Sequence, residues 1–71
     1  MISYQPLWDT MEKKGISFYA LQKNNVSSST IRRMKAKDSV STNTIDNLCR
    51  ILKCSINEVI EYIEDENSRP L

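Results

Sequence analysis

Apolar residues recur along this chain at helical spacing. Ile45, Leu48, Cys49 and Leu52 follow the i, i+3, i+4, i+7 rule, and Ile56, Val59, Ile60 and Ile63 repeat it. Ser41 or Thr42 is placed to cap the first of these helices. Ser55-Ile56-Asn57-Glu58 has the order of a capping box, opening the second. The short connector at residues 53–55 makes the two helices neighbours, and both stripes read as core packing. Upstream, Leu7, Trp8 and Met11 share a face of a helix over about residues 6–14, with Pro6 in its first turn, where a missing N–H costs nothing. Gly15 is a natural stop. Ser17 caps a second helix to about residue 24, with Ala20 and Leu21 inward and one of Phe18 and Tyr19 left exposed. A third helix runs over about residues 28–36, burying Ile31 and Met34.

The segment between the second and third helices is the most informative. Asn25 tolerates a left-handed backbone and so ends one helix and redirects the chain. Val26 is the apolar plug of that corner, and Ser27 is the N-cap of the helix beyond it. With Ile31 and Met34 inward, Ser28, Ser29, Arg32 and Arg33 project elsewhere. A short helix after a sharp turn, with a small, hydrogen-bonding and cationic outer face, suits a major groove. The expectation is an all-α, compact five-helix domain built on a helix-turn-helix, with Ile2-Ser3-Tyr4 and Tyr62-Ile63 able to pair briefly as terminal strands. The domain is expected over residues 1–64, followed by a flexible acidic tail at 65–71.

Charge distribution sharpens this picture. The chain has 71 residues and a net charge of only +1. Residues 11–37, however, carry Lys13, Lys14, Lys23, Arg32, Arg33, Lys35 and Lys37 against Glu12 alone, a net +6 centred on the turn. Residues 38–71 carry a net −4. A basic middle coinciding with the turn is an electrostatic footprint for phosphates, although any solvated face can be basic.

Composition narrows the function classes. One Gly and two Pro argue against many short strands. No apolar run reaches the ~18 residues of a membrane span and no basic-then-apolar leader opens the chain, so a soluble cytoplasmic protein is expected. With no His, no Gly-rich phosphate loop and no nucleophile–base pair, catalysis is not expected. Cys49 and Cys54 are the only cysteines, too few ligands for a four-coordinate zinc site. Cys49 reads as a buried core thiol, and a disulfide is not expected in a reducing cytosol. No metal, cofactor or small-molecule effector is expected. An aromatic platform for RNA is lacking.

The order and spacing of four motifs resemble the Cro/phage-repressor type helix-turn-helix family, also called the xenobiotic response element family, with its lambda repressor-like fold. They are Gly15-Ile16-Ser17, the segment from Asn25 to Met34, Ser41-Thr42-Asn43-Thr44-Ile45, and the segment from Leu48 to Tyr62. The likeness is strongest to small stand-alone bacterial and phage regulators. Asn25 stands where the family usually has Gly. Leu21 stands where a small residue is usual, which implies a shortened or rotated second helix. The resemblance implies sequence-specific binding of double-stranded DNA, with the third helix in the major groove and the start of the second on the backbone.

Carried over by position, Ser28 and Ser29 approach base edges or phosphates. Arg33 is placed for bidentate contact with guanine, and Arg32 for phosphate or base. Lys35 and Lys37 read as phosphate contacts. Ser17 and Ser27 cap helices whose first amides face phosphate, Gln22 lies on the second helix, and Asn43 flanks from the fourth. Transcription regulation, most simply repression, and a homodimer on paired half-sites are implied. The competing reading is a protein-interaction module, such as an antitoxin or antirepressor, using the same fold without reading DNA.

Overall fold

Each helix begins and ends where a specific backbone need is met. The computed structural model describes residues 1–64; the tail expected at residues 65–71 lies outside them. Along the chain run β1 (Ile2–Ser3), α1 (Gln5–Lys14), α2 (Phe18–Lys23), α3 (Ser28–Lys35), α4 (Thr42–Leu52), a single 3-10 turn (Ile56–Glu58) and β2 (Glu61–Tyr62). Ser17, Ser27 and Ser41 start α2, α3 and α4. All three have extended backbones, and each side chain accepts the amide three residues on, from Ala20, Thr30 and Thr44, at 3.2 Å. A serine at this position satisfies one of the amides that a helix start leaves without a partner.

The helix ends share one device. Gly15, Asn25, Lys37 and Lys53 all adopt positive φ, at 67°, 72°, 64° and 51°. Beyond each, an amide reaches back five residues: Ile16 to the Met11 carbonyl, Val26 to Leu21, Asp38 to Arg33 and Cys54 to Cys49, at 2.8–3.1 Å. This closure satisfies carbonyls that a helix end would otherwise leave open. At α1 and α2 it also brings apolar pairs into the core, Met11 with Ile16 and Leu21 with Val26. Leu21 and Val26 are buried almost completely, so the corner between α2 and α3 is plugged from both sides.

The core is one cluster. Leu7 and Met11 from α1, Leu21, Val26, Ile31 and Met34 from the α2–α3 unit, Ile45, Leu48 and Leu52 from α4, and Val59 meet in it. Two polar ties fasten its edges. Thr10, itself buried, donates its hydroxyl to the Glu58 carbonyl at 2.8 Å, and Tyr4 donates to the Asp38 carbonyl at 2.7 Å.

Three sequence expectations are corrected. There are four helices among the described residues, not five: the stripe Ile56, Val59, Ile60 and Ile63 makes one 3-10 turn and then a strand. The start signal works, since the Ser55 amide donates to Glu58 Oε2 at 3.2 Å. Propagation fails because this segment is β-branched, and because its backbone finds a better partner in the N-terminus. β1 and β2 pair antiparallel, Ile2 opposite Tyr62 and Ser3 opposite Glu61, and the Ile63 amide donates to the Met1 carbonyl at 2.8 Å. Of the stripe, only Val59 reaches the core fully, while Ile56 and Ile63 stay exposed. The terminal strand pair itself is present, but its second strand is Glu61–Tyr62 and not Tyr62-Ile63, and Tyr4 belongs to the core and not to the first strand. Cys49 is half-buried, not fully buried, because it lies at the edge of the α4 stripe whose buried residues are Ile45, Leu48 and Leu52.

Candidate nucleic-acid interface

The α2–turn–α3 unit presents one continuous polar surface because its apolar residues all point the other way. On α3 only Ile31 and Met34 are buried. Ser28, Ser29, Arg32 and Arg33 are exposed, and so are Lys35 and Lys37. The ion pair among the described residues joins Arg50 to Asp46 at 2.8 Å on α4, which leaves the α3 guanidinium groups without a carboxylate partner there. Cations held on a surface without local neutralisation are available to phosphates or base edges.

The start of α3 is held firmly. Ser27 Oγ accepts the Thr30 amide and lies 2.9 Å from Thr30 Oγ1 and 3.1 Å from Ser29 Oγ. Thr30 is half-buried and works locally, which leaves Ser28 as the hydroxyl at this end outside that network. Opposite, α4 closes on the turn: Asn47 Nδ2 donates to the Asn24 carbonyl at 3.3 Å. A polar groove between them is lined by Asn25, Thr30, Asn43, Asn47 and Arg50. Asn43 thus sits beside the start of α3, whereas Asn47 and Arg50 were missed in the sequence. Their position one and two turns along α4 from Asn43 was the available signal.

The remaining residues divide between the two ends of the unit. Ser17 is exposed and caps α2, and Gln22 is exposed on α2 one turn before Asn25, whose amide donates to the Gln22 carbonyl at 3.3 Å. At the far end of α3, the Lys35 ammonium stands 4.1 Å over the Phe18 ring, which packs edge-on against Trp8 at 5.7 Å. Cation–π attraction therefore fixes Lys35 beside the first turn of α2. Lys37 ends α3 in the left-handed conformation and lies next to Tyr4 and the β1 segment, away from Ser28. The structure therefore gathers Ser27, Ser28, Ser29, Arg32, Arg33 and Asn43 about α3's start and outer face, and sets Ser17, Lys35 and Lys37 along the side toward α1.

Two helices crossing at a tight, left-handed corner, the second presenting an exposed cationic face, define a helix-turn-helix unit. A model of the Cro/C1-type HTH DNA-binding domain matches residues 6–65, and the chain belongs to that family. The crystal structure of the transcriptional regulator VanUg is similar in fold: the TM-score is 0.81 at 23% identity, over 90% of this chain and 87% of that one. No curated protein matches the sequence. Among the described residues no helix is long and apolar enough to cross a membrane.

Proposed function

We propose that this chain is a transcriptional regulator that binds double-stranded DNA sequence-specifically, inserts α3 in the major groove, and represses by occupying its site. The observation that carries this reading is the outer face of α3, where Ser28, Ser29, Arg32 and Arg33 are all exposed on a helix whose start is fixed by Ser27. Arg33 grips guanine O6 and N7 through two guanidinium hydrogen bonds. Ser28 and Ser29 meet base edges or phosphates beside it. Arg32, Lys35 and Lys37 hold phosphates, Ser17, Ser27 and Gln22 border one backbone, and Asn43 borders the flanking one. Two copies bind paired half-sites, because one domain of this size covers too few base pairs for useful specificity. Of the apolar residues that could meet in such a dimer, Ile2, Tyr62 and Ile63 are exposed, whereas Tyr4 is buried within its own chain.

Selection from random duplex DNA at physiological salt tests the proposal. The expected result is an enriched, two-fold-symmetric site. On that site Arg33→Ala costs about 1–3 kcal/mol and relaxes preference at one base position. Unchanged affinity for Arg33→Ala would remove Arg33 from the groove. No enrichment, together with a partner protein retained at high salt, would replace DNA reading with the interaction-module function.

A further inference from the structure

The two thiols of this chain meet at a helix end. In the five-residue closure described above, the paired positions hold Met11 and Ile16 at α1 and Leu21 and Val26 at α2, side chains that pack together in the core. At α4 the same two positions are Cys49 and Cys54. Lys53 takes φ 51°, and the Cys54 amide donates to the Cys49 carbonyl at 3.1 Å. With that bond in place, standard backbone dimensions cap the Cα···Cα separation at about 7 Å, the upper end of what a disulfide spans. Burial raises the Cys54 thiol above its ordinary range, and the neighbouring Cys49 thiol pushes the same way. Glu58 adds to that effect and Lys14 of α1 opposes it. Both cysteines remain partly exposed, so a small molecule can reach them.

We propose that Cys49 and Cys54 form a reversible dithiol–disulfide couple across the end of α4, driven by low-molecular-weight disulfides. One cysteine thiolate attacks a sulfur of the small disulfide, giving a mixed disulfide and releasing one small thiolate. The other cysteine thiolate then attacks the protein sulfur of that mixed disulfide and releases the second. The two protons lost by the cysteines go to the two leaving thiolates, so one dithiol and one disulfide become one protein disulfide and two small thiols. Under reducing conditions the chain rests as the dithiol, and a rise in oxidant closes it without unfolding, because the turn already holds the partners together. Reversible cytosolic disulfides are characteristically of this redox-sensing kind. The bond would staple the end of α4 to the segment leading to Val59 and β2.

The test equilibrates the full chain in glutathione buffers from fully reduced to fully oxidised, quenches with acid, alkylates, and reads peptide masses. The expected product is a monomer with a Cys49–Cys54 cross-linked peptide, reversed by dithiothreitol and melting at a higher temperature than the reduced chain. Cys54→Ala should instead accumulate a glutathione adduct on Cys49. Glutathione adducts on both cysteines of the wild type without a cross-link, disulfide-linked dimers alone, or two freely alkylated thiols in every buffer would each overturn the proposal.

Discussion

Ser27 is where stability and the proposed DNA contact can be separated by a single atom group. Its hydroxyl accepts the Thr30 amide at 3.2 Å and touches the Ser29 and Thr30 hydroxyls. Ser27→Ala leaves that amide at the start of α3 dependent on water, and loss of such a cap costs about 1 kcal/mol within a range of roughly 0.5–2. For a domain this small, about 1 kcal/mol corresponds to a drop of roughly 4–8 °C in Tm. Ser27→Asp gives the opposite outcome. A carboxylate accepts the same amide and favours the positive end of the helix dipole, so Tm should equal or exceed that of the wild type. The same carboxylate faces phosphates if α3 enters the groove. At a separation of ~4 Å, repulsion costs about 1 kcal/mol even in water, roughly a fivefold loss of affinity. Thermal melts by circular dichroism and titration of the selected duplex at fixed salt read the two effects independently. An Asp variant as unstable as the Ala variant would refute the cap. A stable Asp variant with wild-type DNA affinity would refute the placement of this end of α3 against DNA.

Thr10→Val keeps the shape of the side chain but strips the Glu58 carbonyl of its hydroxyl donor; urea denaturation should show a loss of about 1 kcal/mol or more. Lys53→Gly should stabilise the chain by roughly 0.5–1 kcal/mol, because relief of left-handed strain exceeds the added entropy of the unfolded chain; an unchanged or lowered urea midpoint would contradict it. Lys35→Ala should weaken every duplex alike and reduce the slope of log affinity against log salt by about one. Lys35→Arg, which keeps the cation over Phe18, should restore that slope.

Much of the architecture lies in local chemistry. Three serines, each three residues before the amide it caps, mark the starts of α2, α3 and α4, and Gly15 and Asn25 mark two of the ends. The other two ends are hidden in the sequence, since Lys37 and Lys53 take a conformation that nothing in a lysine side chain favours. They take it because the hydrogen bonds of Asp38 to Arg33 and Cys54 to Cys49, and the packing beyond, outweigh a local cost of about 1–2 kcal/mol. The candidate interface divides the same way. Ser28, Ser29, Arg32 and Arg33 follow from the inward pair Ile31 and Met34, whereas the lodging of Lys35 over Phe18 and the clasp of Asn47 on Asn24 join residues 17 and 23 positions apart.

The fate of the last apolar stripe marks the boundary between the two levels. Periodicity and caps, both short-range properties, specify four helices, the corner at Asn25 and the outward face of α3 from residues within one or two turns of each other. The same short-range rules favour a helix from Ile56 to Ile63, and there they fail. Val59 must fill the core while the backbone beyond it pairs with Ile2 and Ser3, about sixty residues earlier in the chain. Such a contact is rewarded only after the rest of the domain has brought the two ends together. Its strength therefore resides in the assembled fold and not in any window of the sequence.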